Sequence, residues 1–243
     1  NPQFGQTHIA SPYAGSGPGS LGNGQCRADG WLPRSSTGWS PLAWHSRHRD
    51  SGMLTSGQNA GMDVRQLALA GVRLLVPTPH RDDRGLFTRT FDAEIAARSG
   101  IVFGPQTQDS QSRSLPRVRR GLHGRGAAGE AKLVRVSAGA VLDVVVDARP
   151  GSVTFGQHLT VELDDENFCA LYVPAGFLHG FQVLRGPADV QYRIDRPHDP
   201  SQDLTVRHDD PDLAIAWPSG PAIMSERDLA AGSWAALVEQ LRG

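Results

Sequence analysis

The chain has 243 residues, 39% hydrophobic and 20% charged, a balance that supports a folded domain with a sizeable core. Its 24 basic and 25 acidic residues nearly cancel, which removes any global electrostatic case for binding nucleic acid or an anionic membrane. No run of about 18 apolar residues marks a membrane span, and no basic segment leads into an apolar core as in a secretory signal, so the cytoplasm is expected.

Residues 1–61 are rich in Gly, Ser and Pro, as in Gly15-Ser16-Gly17-Pro18-Gly19-Ser20, and show no apolar period. Such a segment buries too little surface to offset its ordering entropy. A disordered extension is expected, with Trp31, Trp39 and Trp44 as the side chains able to dock elsewhere. The chain has two cysteines, Cys26 in this segment and Cys169 in the apolar run from Phe168 to Val173. Contexts so unlike argue against a disulfide or a Cys-based zinc site. Met62 opens the part expected to fold, residues 62–243.

From there the signals are mostly β. Val64 to Val76 is the first strand-like region, with Val72 to Val76 closed by Pro77. Phe91 to Arg98 reads as a short helix, capped by Thr90 or Asp92 and stopped by Gly100. Lys132 to Val136 reads as a strand ending at Ala138-Gly139, and Val141 to Val146 as the next. His158 to Leu163, Ala170 to Val173, Gly180 to Leu184 and Val190 to Ile194 follow, separated by Gly, Pro and Asp clusters. Many short strands at such spacing predict a sandwich or barrel. Glu226 to Leu241 reads as helical, with Ser225 and Ser233 as N-caps.

Four segments carry groups able to do chemistry. Arg119-Arg120-Gly121-Leu122-His123 sets two guanidinium forks, suited to phosphate, beside a histidine that accepts protons near neutral pH. Alone, it reads more readily as a basic surface turn with an incidental histidine. Pro174-Ala175-Gly176-Phe177-Leu178-His179-Gly180-Phe181 forms a tight turn that presents His179 at the start of an apolar strand. The P-x-G-x-x-H spacing resembles the second cupin motif, whose histidine is a ligand in metal-binding members. Those also need a His-x-His pair upstream, where this chain has His123-Gly124-Arg125. An arginine repels a cation, so a metal is disfavoured, with His158 the remaining candidate ligand.

Strand alternation puts Val190, Tyr192 and Ile194 on one face, so Tyr192 is either a core tyrosine or a proton donor inside the barrel. Ser225-Glu226-Arg227-Asp228 has the form of a capping box, which explains Asp228 structurally. A carboxylate there could also orient a histidine.

Taken in order, these pieces resemble the dTDP-4-dehydrorhamnose 3,5-epimerase family. The matching series is Asp83-Arg84-Gly85-Leu86-Phe87, Gln108-Asp109, Arg120-Gly121-Leu122-His123 and Lys132-Leu133-Val134-Arg135. It continues through Pro174–Phe181, Tyr192, Asp209-Asp210-Pro211 and Ser225-Glu226-Arg227-Asp228. The resemblance implies an all-β cupin-type jelly-roll barrel with short flanking helices. It further implies a homodimer without metal or cofactor, and a dTDP-linked 4-keto-6-deoxyhexose as substrate.

Carried over by position, His123 is the base, Asp228 its orienting partner, Tyr192 the acid on the opposite face of the sugar, and Lys132 the stabiliser of the enolate. Arg84, Phe87, Gln108, Arg120, His179, His198 and Arg227 fall at substrate-binding positions. The chain departs from the family pattern at several of them. Arg89 stands where Glu is usual, Ser110 where Asn is, and Gly124-Arg125 where Tyr-Gln commonly follows the histidine. His198 falls near an aromatic position, and Arg227 replaces Lys. The proton-transfer set is intact while nucleotide and sugar contacts drift, the pattern of a specialised relative, including one that inverts C3 alone. A metal-dependent cupin and a non-catalytic sugar-nucleotide binding protein are the competing readings.

Overall fold

Between Lys132 and Ile194 the chain carries long runs of buried, largely β-branched and aromatic side chains, and it pairs there into antiparallel sheet. The structure, a computed structural model, describes residues 28–30, 61–126 and 129–242. Its strands are β1 (Ala28–Gly30), β2 (Met62–Gln66), β3 (Arg73–Pro77), β4 (His80–Asp82), β5 (Gly85–Phe87) and β6 (Gln108–Ser114). These are followed by β7 (Arg119–Arg125), β8 (Lys132–Asp147), β9 (His158–Asp164), β10 (Ala170–Val173), β11 (Phe177–Ile194) and β12 (Asp203–Thr205). The helices are α1 (Ala93–Arg98), α2 (Glu226–Leu229) and α3 (Trp234–Arg242).

Two long strands organise the rest. β8 and β11 pair along their whole length. The other edge of β8 carries β10 along Lys132–Arg135 and β9 along Ala140–Val146. The other edge of β11 carries β7 near its start and β6 near its end. Each long strand therefore belongs to two half-sheets. One holds β12, β7, β9 and β1; the other holds β6, β10, β3 and β2.

The fork lies where β8 and β11 bend. Register shifts occur between Val183 and Val190 of β11, and Gly139 of β8 lies opposite them with φ +79°. A Cβ at Gly139 would sit 2.5 Å from the Arg185 carbonyl oxygen, so only glycine fits. The sequence reading expected separate strands on either side of Ala138-Gly139 and between Leu184 and Val190. The structure shows bulges within continuous strands instead, because residues that open a turn also let a paired strand kink.

The core lies between the half-sheets, with Val134, Val136, Val141, Val145, Leu159, Phe181 and Val190 among its buried members. A second cluster sets Trp234 and Leu237 of α3 against Leu122, Val144 and Leu178. A third sets Ile95 and Ala96 of α1 against Leu75, Leu133 and Ala170. This is the all-β jelly roll with short flanking helices that the sequence predicts. Asp92 caps α1 by accepting from the backbone N–H groups of Glu94 and Ile95 at 3.0 and 3.1 Å. The expected C-terminal helix is two helices, separated by Ala230–Ser233, with Ser225 capping the first.

Of residues 1–60, only Ala28–Gly30 is described, as a strand on β9. Trp31, Trp39 and Trp44 lie outside the described residues. Cys169 is disulfide-bonded, contrary to the sequence expectation. Among the described residues, no helix is long and apolar enough to cross a membrane.

Candidate active site

A cavity of about 280 Å³ opens between the half-sheets. Strands from both halves line it: Arg120 and His123 on β7, Lys132 on β8, and His179, Phe181, Tyr192 and Ile194 on β11. His198, Asp203 and Arg227 close its rim.

His123 is held by a carboxylate that arrives from far along the chain. Its Nε2 lies 2.7 Å from Oδ1 of Asp228, and the side chains are 43% and 5% exposed. A carboxylate only accepts, so Nε2 carries the proton and Nδ1 keeps its lone pair. Helix α2 positions the acid. Ser225 Oγ accepts from the backbone N–H of Asp228 at 3.1 Å, and the Asp228 carboxylate stays clear of the cap. Its Oδ2 accepts from the backbone N–H of Gly121 at 3.4 Å. The cap and the dyad coexist: the backbone serves one and the side chain the other.

Gly124, next to His123, sits where β7 presses on β11. A Cβ there would meet the Phe177 carbonyl oxygen and Leu178 Cδ2 at 2.8 Å each. The aromatic residue usual in the family has no room at this close approach.

A second histidine–aspartate pair lies deeper. His179 Nε2 is 3.0 and 2.8 Å from the carboxylate oxygens of Asp143, and the side chains are 6% and 0% exposed. The same donor logic leaves its Nδ1 as an acceptor. The His179 ring stands edge-on to Tyr192, with centroids 6.3 Å apart. Tyr192 Oη lies 3.5 Å from Ser112 Oγ of β6. Burial, abetted by the charge of Asp143, pushes the Tyr192 phenol up to about 12, against the opposing pull of Ser112 and Arg120. It therefore holds its proton at any physiological pH.

The cations of the cavity are partnered. Lys132 Nζ lies 3.0 Å from Glu130 Oε1, and Arg125 Nε lies 2.7 Å from Glu130 Oε2. Arg120 donates to Ser114 Oγ at 3.1 Å. On the rim, Asp203 accepts from Arg227 at 2.8 Å and meets His198 Nε2 at 3.3 Å. Against the cost of burial, those two hydrogen bonds and the charge of Arg125 hold the Asp203 carboxyl below its usual range.

Seven residues singled out in the sequence thus line one cavity: Arg120, His123, Lys132, His179, Tyr192, His198 and Arg227. Asp228 stands behind His123. Arg84, Phe87 and Gln108 are not among the lining residues. Arg84 and Phe87 belong to the exposed β4–β5 hairpin, where Arg84 pairs with Asp82 and Phe87 is 71% exposed. Gln108 is exposed at the start of β6, opposite Ile194. Of the departures, Arg89 pairs with Asp92 at 2.6 Å, and Ser110 is the strand partner of Tyr192. His158 does not line the cavity. Among the described residues, no cluster of three or more His, Cys, Asp or Glu side chains is arranged to hold a metal.

Sequence reasoning missed Asp143 and Glu130. Asp143 is the lone acid within Val141-Leu142-Asp143-Val144-Val145-Val146, and a charge in a buried strand demands a partner. Glu130 lies two residues before Lys132, the spacing at which extended backbone puts side chains on one face.

Comparison with known proteins bears on this arrangement. The family described as dTDP-4-dehydrorhamnose 3,5-epimerase matches residues 66–236. The chain belongs to this family. A dTDP-4-dehydrorhamnose 3,5-epimerase of Neisseria gonorrhoeae is 38% identical over 175 residues, covering 72% of this chain and 53% of that protein. The chain thus matches about half the length of that relative.

Two solved structures share the fold. One is a dTDP-6-deoxy-D-glucose-3,5-epimerase of Legionella pneumophila in complex with dTDP-4-keto-L-rhamnose. It has a TM-score of 0.70 at 37% identity and covers 74% of this chain and 96% of its own. The other is a 3′-monoepimerase of Streptomyces bikiniensis in complex with dTDP-quinovose. Its TM-score is 0.66 at 35% identity, covering 72% of this chain and 89% of its own. A 3,5-epimerase and a 3′-monoepimerase thus both share this barrel.

Proposed function

We propose that the chain is an isomerase that epimerises C3, with or without C5, of a dTDP-linked 4-keto-6-deoxyhexose. The observation that carries this reading is the convergence of His123, Lys132 and Tyr192 on one cavity, with Asp228 bound behind the histidine. A C4 ketone acidifies the hydrogens on its neighbouring carbons. Inversion then requires a base on one face of the sugar and an acid on the other. His123 Nδ1 takes the proton, and the Asp228 carboxylate stabilises the imidazolium that forms. The C4 oxygen becomes an enolate, whose charge the Lys132 ammonium stabilises more than it does the ketone. Tyr192, neutral and buried, returns a proton from its own side. Arg120 supplies a guanidinium for the diphosphate. No step calls for a cofactor.

The test is the substrate incubated in heavy water, with the label located by NMR. His123→Asn is expected to lower C3 deuterium incorporation by about a thousandfold while the protein stays folded. Exchange at the unaltered rate would remove His123 from the mechanism. Label at C5 as well as C3 distinguishes a double from a single epimerase.

The reading includes a homodimer. Leu86 and Phe87 expose apolar surface on the β4–β5 hairpin, and neither lines the cavity of its own chain. In a dimer this hairpin closes the cavity of the partner subunit, which brings Arg84 and Phe87 to the substrate. An equimolar mixture of His123→Asn with an Arg84→Ala/Phe87→Ala chain should then recover up to about a quarter of native activity, since about half of the dimers are mixed and one of the two cavities in each is built from unaltered parts. Sedimentation as a monomer, or no recovery on mixing, would overturn the shared site.

A further inference from the structure

We propose that Glu130 and Arg125 are a positioning pair for Lys132, and that Arg125 keeps the lysine's charge available to the developing enolate. This rests on the epimerase reading above.

The three side chains form a line of alternating charge at the cavity wall. Lys132 Nζ is 3.0 Å from Glu130 Oε1, and Glu130 Oε2 is 2.7 Å from Arg125 Nε. Their side chains are 10%, 9% and 9% exposed, and all three line the cavity. Arg125 continues the line to Asp203, 3.7 Å away, and its guanidinium also donates to the Asp199 carbonyl. Glu130 Oε2 makes no hydrogen bond of good geometry, so the carboxylate is held by charge rather than by directed donors.

The charge count matters here. A carboxylate 3.0 Å from the lysine fixes its ammonium against the wall. It also opposes the lysine's field at the place where an enolate must form. At low dielectric such a neighbour can cancel most of the benefit. The guanidinium on the far side of Glu130 neutralises that carboxylate, so the trio carries one net positive charge toward the sugar. Arg125 is also a departure from the family pattern, which commonly has glutamine at this position. Arginine and glutamate here form a matched unit, in which each residue is disruptive without the other.

This predicts a specific pattern among three variants. Glu130→Gln leaves Lys132 without its anchor and two cations facing one amide. Arg125→Gln leaves the carboxylate to cancel the lysine. Arg125→Gln/Glu130→Gln restores one net positive charge with two amides able to hydrogen-bond, and a buried ion pair exchanged whole is structurally tolerable.

The measurement is kcat, KM and C3 deuterium incorporation on a dTDP-4-keto-6-deoxyhexose, with dTDP binding by calorimetry as the check of folding. Each single variant is expected to lose about tenfold in kcat, with KM within about twofold. The double variant should return to within about threefold of the native rate. A merely structural role gives losses that add in the double variant, or that fall on dTDP binding, and either overturns the proposal. Single variants at the native rate overturn it too. If the native protein itself gives no exchange, the epimerase reading falls and this one with it. Native exchange without rescue in the double variant removes this inference alone.

Discussion

The cavity contains two histidine–aspartate pairs that are nearly alike in bond length and unlike in setting. His123 and Asp228 meet at 2.7 Å with the ring 43% exposed, while His179 and Asp143 meet at 2.8 Å with the ring 6% exposed. Both carboxylates are buried, and both fix the same tautomer. The difference lies in access. His123 lines the open cavity and bonds Asp228 through one nitrogen only, so on the proposed reading this pair can exchange a proton with a substrate. The ring of His179 is packed edge-on against Tyr192, so this pair orients a neighbour and helps hold up the core. On the proposed reading, identical hydrogen-bond chemistry serves reaction in one place and architecture in the other, and burial decides which.

The sharpest way to break this comparison is to alter the two acids separately. Asp228→Asn keeps the shape but offers an amide N–H where the carboxylate accepted. That favours the wrong tautomer of His123 and should lower kcat by about 10³- to 10⁴-fold, with little change in melting temperature. Asp143→Ala should do the reverse. It leaves the buried Nε2–H of His179 without an acceptor, at a cost of about 1–3 kcal/mol seen in denaturant unfolding. Its effect on kcat should be the smaller of the two. If the two variants exchange profiles, so that Asp143 governs rate and Asp228 stability, the assignment of base and support is inverted.

A smaller effect comes from Tyr192. Its phenol is raised from 10.0 to about 12 on folding, so the folded state keeps a proton that the unfolded chain releases. The contribution is fully present below pH 10 and is lost as pH rises through the folded value near 12. Alkaline unfolding of the native protein should therefore steepen in that window, and Tyr192→Phe should flatten it. The same variant should slow inversion more than C3 exchange, because His123 still removes and returns the proton on its own face. Equal losses in both would place Tyr192 outside the acid role.

Much of this site was legible because its residues lie on short, well-punctuated segments. The Arg120–His123 run and the Pro174–His179 turn name their chemistry locally, and β alternation put Tyr192 and Ile194 on the inner face. Asp228 was ambiguous because a capping box and a dyad ask for the same residue; only the fold shows that the backbone takes the cap while the carboxylate takes the histidine. Asp143 hid in an apolar run, where its partner lies 36 positions away. The bends at Gly139 and between Val183 and Val190 read as turns, because glycine and proline mark a reversal and a kink alike. Arg84 and Phe87 lie outside the cavity of their own chain, and only the proposed dimer would bring them to one; local sequence does not encode quaternary arrangement.

On the proposed reading, the shared strands limit how the site can be retuned. β8 carries both Lys132 and Asp143, and β11 carries both His179 and Tyr192, on opposite sides of the fork. Any shift of either backbone moves a residue of the proposed proton transfer and a residue of the supporting pair at once, so these strands tolerate little drift. A different sugar or nucleotide would then be accommodated by residues off that pair, at the His198–Asp203–Arg227 rim. The mouth of such a barrel can be remodelled while its interior keeps the same reaction.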